Sequence, residues 1–242
     1  MSAKKAHRLV VLGNSKSGKT AVIEQLVFGN HVVGQESSST LGDVYEVCAE
    51  AGSGNTEKLQ IFDTPGDLFT AKGPQEQEHF LSIAEGFVLV YEVTNKDSYD
   101  NVTLLRQKIS QRNRDVPVVV LGNKSDLSSS RAVDFTQVLA WARQNAVNAY
   151  EVTVIDRETL KEPFCYIARR MFNPGRAYQS VPSSASIMSL RSRQAERHDG
   201  ACATDGETGK TQNRPEDAVF PKQYPVLFFA DCMSSRSRRG FT

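Results

Sequence analysis

Cysteine is scarce in this 242-residue chain. Four are present, Cys48, Cys165, Cys202 and Cys232, and no two form a CxxC pair. That spacing excludes a disulfide scaffold and a zinc ribbon, and it points to a reducing compartment. No run approaches the 18 consecutive apolar residues that a membrane-crossing helix needs. The first eight residues are polar and lack the apolar core of a secretory signal. An excess of one charge is also missing: 29 Lys and Arg face 28 Asp and Glu, a net charge of +1. Near neutrality removes the electrostatic case for nucleic acid or an anionic membrane as partner. What remains is an ordinary soluble composition, 39% hydrophobic and 24% charged, long enough for one sizeable core. A cytoplasmic globular domain is the expectation.

The composition changes near Asn173. The last 70 residues carry ten basic and seven acidic side chains, are rich in Ser, Arg and Gly, and are thin in apolar residues apart from 224–230. This predicts a folded domain over 1–172 and a disordered tail over 173–242, because the tail cannot bury enough surface to offset the entropy of ordering. The apolar stretch 224–230 would dock either on a partner or on the domain itself.

Residues 1–172 alternate apolar runs with helical periodicity, the pattern of a doubly wound α/β domain with six strands and about five helices. Residues 8–12 are an apolar run, opened by Arg8 and followed by Gly13, and 86–91 and 116–121 are continuous apolar runs, as strands covered on both faces require. Residues 44–49 and 58–62 read as an antiparallel hairpin turning at 52–55. Helical spacing lies at 19–28, 98–112, 135–145 and 157–172. Residues 67–77 are polar, include Gly73-Pro74, and read as a mobile loop on a partner surface or as a plain solvated loop.

Three short motifs carry the chemistry. Gly13-Asn14-Ser15-Lys16-Ser17-Gly18-Lys19-Thr20 matches GxxxxGK[ST] and lies between a predicted strand and a predicted helix. Glycines let backbone N–H groups curl around phosphate oxygens, and the helix N-terminus adds partial positive charge. Lys19 would reach the outer phosphates, and the Thr20 hydroxyl would ligate Mg²⁺. Asp63-Thr64-Pro65-Gly66 follows the third strand. Its aspartate can hold Mg²⁺ through water, and the Gly66 N–H can meet a γ-phosphate. Asn123-Lys124-Ser125-Asp126 follows the 116–121 strand. The Asp126 carboxylate suits the ring N–H and exocyclic amine of guanine, a donor pair adenine lacks. Asn123 can tie this loop to the phosphate loop, and the Lys124 stem can lie along the base. In this order and spacing the three say guanine nucleotide, GTP or GDP.

The same motifs on this strand plan resemble the Ras superfamily of small GTPases over residues 8–172, a P-loop NTPase fold. Gly29-Asn30-His31, Asp43-Val44-Tyr45, Gly86-Phe87-Val88-Leu89-Val90-Tyr91, Val119-Val120-Leu121-Gly122 and Glu162-Pro163-Phe164 are similar to the kappaB-Ras branch, the NF-kappa-B inhibitor-interacting Ras-like proteins. The resemblance implies a cytoplasmic regulator that binds I-kappa-B inhibitors and slows their degradation, and that associates with the Ral GTPase-activating complex. It also implies Thr40 as the switch I ligand of Mg²⁺ and the γ-phosphate, since Asp43 and Tyr45 follow at effector-loop spacing. Ser38 and Ser39 rival Thr40 for that role.

Departures from the ordinary Ras pattern bear on turnover. Asp67 stands where glutamine orients the attacking water, and an ionised carboxylate cannot donate a hydrogen bond to the transition state. Ser15 replaces a glycine at the point an arginine finger must pass. Both predict slow hydrolysis and poor stimulation by conventional activating proteins, so no catalytic residue is assigned. Val32 replaces the aromatic that stacks on the base. Thr153-Val154-Ile155 replaces the usual third base motif and lacks its lysine. The end of the sequence has no prenylation box, which predicts no prenyl anchor. Two alternatives stay open: a pseudo-GTPase scaffold with little turnover, and a GTPase cycled by an activating protein that brings its own catalytic group.

Overall fold

The computed structural model describes residues 6–32, 42–52, 55–66, 68–69, 73–173 and 226–227. Thr40, Asp67 and most of the tail lie outside them. Among the described residues, no helix is long and apolar enough to cross a membrane.

Six strands form the body of one mixed sheet: β1 (His7–Leu12), β2 (Asp43–Gly52), β3 (Asn55–Asp63), β4 (Gly86–Glu92), β5 (Val118–Asn123) and β6 (Asn148–Glu151). The order is β6-β5-β4-β1-β3-β2, and within these six only the β2–β3 pair is antiparallel. Val226–Leu227 adds a seventh, two-residue strand, β7, in parallel register with Cys48 and Ala49 of β2. Part of the apolar stretch 224–230 therefore docks on the domain. Five helices cover the sheet: α1 (Lys19–Phe28), α2 (Pro74–Ile83), α3 (Lys96–Arg112), α4 (Phe135–Gln144) and α5 (Glu158–Phe172).

Burial on both faces explains the unbroken apolar runs, because successive strand side chains point to opposite sides. Leu9, Val11, Val88, Val90, Val119 and Leu121 pack with Val22, Ile23 and Leu26 of α1 and Phe164, Ile167 and Met171 of α5. Their neighbours Val10, Leu12, Phe87, Leu89, Tyr91, Val118 and Val120 pack on the other side with Val102, Leu105 and Ile109 of α3 and Val138 of α4. Strand β5 starts two residues later than the apolar run because Pro117 has no N–H for the ladder. Its carbonyl still accepts from the Phe87 N–H at 2.9 Å.

Helix α2 is where structure and sequence expectation differ. The 67–77 segment reads as a loop, yet a helix begins at Pro74 with Gly73 extended before it. Proline is favoured in the first helical turn, where its missing N–H would have no partner in any case. Gly73-Pro74 is thus the helix start and not an interruption.

Candidate functional site

The parallel strands β1, β3, β5 and β6 all end at the same edge of the sheet. The order of strand addition reverses at β1, with β3 parallel to it on one side and β4 parallel to it on the other. Ligands of doubly wound folds bind beside such a switch point. The phosphate loop leaves β1 there and runs straight into α1.

Gly18 precedes α1 with φ +89°, and a Cβ on it would lie 2.2 Å from the Asn123 amide nitrogen. Only glycine satisfies both demands. Lys19 is buried, and its Nζ donates to the carbonyls of Gly13 and Asn14, each at 3.1 Å. Ser15 and Lys16 are exposed on the rim of the loop, and Ser17 is buried beneath it.

Thr20 and Asp63 come together as the metal reading requires. The Thr20 hydroxyl donates to Asp63 Oδ2 at 2.6 Å. Asp63 is 1% exposed, and its Oδ1 has no hydrogen-bond partner among the described residues. Burial raises the pKa of this carboxyl, opposed by the Thr20 bond and the nearby Lys19 charge. A buried carboxylate with an unused oxygen beside a hydroxyl fits a divalent cation. Among the described residues no group of three His, Cys, Asp or Glu side chains forms a metal cage. Among the described residues an ion would therefore take Thr20 directly and Asp63 through water, with its other oxygens from phosphate and water.

Gly66 lies directly against the phosphate loop: a Cβ on it would stand 2.3 Å from both the Cα and N of Ser15. Leu68, two residues on, is 2% exposed and packs into the α3 side of the core. Phe69 lies under the Lys108 ammonium, 4.9 Å from the ring centre.

The base loop is built from the ends of β5 and β6. The Asn123 amide donates to the Ser17 carbonyl at 3.0 Å in a fully buried bond, joining base loop to phosphate loop. Asp126 is exposed, and the Thr153 hydroxyl donates to its Oδ1 at 2.5 Å. Thr153 in turn accepts from the Ile155 N–H at 3.2 Å. Val154 is half-buried behind this turn. Lys124, in the left-handed region at φ +62°, extends its ammonium to Glu92 Oε2 at 2.9 Å. Arg157 donates to the Leu26 carbonyl at 2.7 Å and so holds the end of α1 beside the 153–157 turn. Val32 and Ile155, on these two segments, are 62% and 61% exposed.

Gly13, Asn14, Ser15, Lys16, Ser17, Gly18, Lys19, Thr20, Asp63, Gly66, Asn123, Lys124, Asp126, Thr153 and Val154 thus lie on the loops at one sheet edge. Thr40 and Asp67 lie outside the described residues. Sequence reasoning missed three contributors. Glu92 holds the Lys124 ammonium, Leu68 anchors the loop after Gly66, and Asn101 of α3 donates to the Asn14 side chain. Leu68-Phe69 is an apolar pair in an otherwise polar segment, a signal available to hydropathy; Glu92 and Asn101 carried no local signal.

Fold and site together define a P-loop NTPase of the Ras-like α/β kind. The model of the Ras family matches residues 8–173. NF-kappa-B inhibitor-interacting Ras-like protein 1 of Mus musculus is 44% identical over 172 residues, spanning 70% of this chain and 88% of the relative. The Danio rerio protein of that name is 40% identical over 191 residues, 74% of this chain and 98% of the relative. Protein 2 of the same name from Gallus gallus is 41% identical over 172 residues, 70% and 88% of the two chains. The chain belongs to the Ras family, in its NF-kappa-B inhibitor-interacting Ras-like branch. Family membership implies guanine-nucleotide and Mg²⁺ binding in general terms.

Proposed function

We propose that this chain is a regulatory GTP-binding protein with slow hydrolysis, which restrains NF-kappa-B signalling by binding I-kappa-B inhibitors and slowing their degradation. The nucleotide half of this reading rests on the bond between Thr20 and the buried Asp63 beside Lys19, with Asp126 exposed and bonded by Thr153. The phosphate-loop N–H groups and Lys19 would bind the phosphates, and Thr20 and Asp63 would hold Mg²⁺, which supplies charge neutralisation there. Asp126 would select guanine. The partner half draws on the relatives, whose names give interaction with NF-kappa-B inhibitors. The association with the Ral GTPase-activating complex and a cytoplasmic location belong to the same proposal and rest on family resemblance.

Slow turnover is supported by Ser15. Its backbone is already in contact range of Gly66, so its side chain adds bulk at the crowded place where a stabilising group would have to enter. The test is the nucleotide released when protein purified without added nucleotide is denatured. Near-stoichiometric GTP supports slow turnover, and a predominance of GDP overturns it. For the base, Asp126→Asn should exchange GTP preference for xanthosine triphosphate; an unchanged preference refutes Asp126 as the guanine reader. For the partner half, an I-kappa-B protein should co-purify with the full chain and be degraded more slowly in its presence; no binding at micromolar protein overturns it.

A second reading is a pseudo-GTPase scaffold. The exposed Val32 and Ile155 favour it, because neither an aromatic ring nor a lysine stem covers the base there. Protein that neither retains nor takes up guanine nucleotide would establish it.

A further inference from the structure

We propose that Asn101, on α3, is a positioning residue of the nucleotide site, acting through Asn14 on the phosphate loop. The inference rests on the nucleotide-binding reading above. Asn101 lies 87 positions along the chain from Asn14, yet its side-chain amide donates to the Asn14 side-chain oxygen. Asn14 is the pivot of the loop: its backbone carbonyl accepts from the Lys19 ammonium at 3.1 Å and from the Ser17 N–H at 3.3 Å. The two side chains are partly buried, between the loop and the first turns of α3, where water competes less for the bond.

The chemistry follows from where each atom is fixed. Lys19 can serve phosphate only if its ammonium is kept at the mouth of the loop, and two loop carbonyls keep it there. One of those carbonyls belongs to the residue whose side chain Asn101 pins. Helix α3 is itself rigidly seated, with Val102 and Leu105 buried in the core. Asn101 therefore ties the glycine-flanked phosphate loop to a stable element. Preorganisation of this kind lowers the entropy that binding must offset.

The experiment is a double-mutant cycle on the full chain, Asn14→Ala, Asn101→Ala and both, reading dissociation of fluorescently labelled GDP in Mg²⁺. Asn101→Ala should speed dissociation about three- to tenfold, and the double variant should be no faster than the faster single variant. Affinity for GDP relative to inosine diphosphate, which the base loop alone reads, should be unchanged. Leu104→Ala on the exposed side of α3 should release GDP at the wild-type rate. Additive effects in the cycle, or wild-type release by Asn101→Ala, overturn the proposal while leaving nucleotide binding intact. A shifted inosine ratio also overturns it, since it marks general loosening of the site. If wild-type protein binds no labelled GDP, the nucleotide reading fails and takes this proposal with it.

Discussion

Replacing Gly66 with alanine tests how closely the segment after β3 is fitted to the phosphate loop. The added Cβ would stand 2.3 Å from Ser15 Cα and N and 2.8 Å from Ser15 Cβ. Carbon atoms are at rest near about 3.5–4.0 Å, so one loop must retreat by roughly 1.2 Å or more. The nearest atoms are backbone, and no side-chain rotation relieves them. Gly66 itself is not in the left-handed region, so the contact and not a forbidden φ causes the effect. Overpacking of this kind costs about 1–3 kcal/mol. The Gly66 N–H is expected to serve the γ-phosphate alone, so retreat of the Gly66 segment from the phosphate loop should weaken GTP and spare GDP. Binding of a non-hydrolysable GTP analogue relative to GDP should drop about five- to 150-fold, measured by competition against a fluorescent nucleotide. Adding Ser15→Gly removes only the 2.8 Å contact and leaves the two shorter ones, so it should restore little. A ratio within twofold of wild type, or full rescue by Ser15→Gly, would refute the reasoning.

Asp63→Asn should show opposite effects with and without ligand. Burial raises the folded pKa of Asp63 above the unfolded value of about 4, so its contribution to stability is fully present below that value and is lost as pH rises through the folded pKa. Nucleotide-free wild type should therefore lose thermal stability as pH climbs out of the acidic range. Asp63→Asn should flatten that slope in thermal unfolding while weakening Mg²⁺-dependent nucleotide binding; an unaltered slope would mean Asp63 is not the group responsible. Thr153→Ala removes the 2.5 Å bond that orients Asp126 and should lower GDP affinity about two- to tenfold. Thr153→Ser should recover it in the same titration, and equal binding by all three proteins would contradict the assigned role.

How much of this was legible in the sequence depended on whether the signal was local. Helix α1 begins and ends where its periodicity says, because a left-handed glycine stands at each end, Gly18 and Gly29. The three motifs are contiguous, and each follows a strand, so their convergence at one sheet edge could be read from strand order. Helix α2 was obscured because Gly73-Pro74 signals a loop in one context and a helix start in another. The structure places Pro74 in the first helical turn, with Gly73 extended before it. Glu92 and Asn101 illustrate a different limit. Each acts on a motif residue from a distant part of the chain, Glu92 on Lys124 and Asn101 on Asn14. No composition or spacing rule links positions that far apart.

The anchoring of residues 66–69 bears on how a bound nucleotide could be sensed. A ligand shifts a conformational equilibrium only by its differential affinity for the two states. Leu68 is in the core, Phe69 is under Lys108, and Glu78 of α2 pairs with Arg112 of α3. Swinging this segment away would expose Leu68 at a cost of about 1.5–3 kcal/mol, before any loss at Phe69. The γ-phosphate contact proposed for the Gly66 N–H would be of about the same size, since a hydrogen bond to a charged group is worth about 1.5–3 kcal/mol. Loss of that contact on hydrolysis therefore does not by itself release the segment. Leu68→Ser, which removes the anchor, should raise protease cleavage within residues 66–73 in the GDP-bound form more than in the GTP-bound form. Equal cleavage of both forms would show that Leu68 is not what holds the segment when the γ-phosphate is gone.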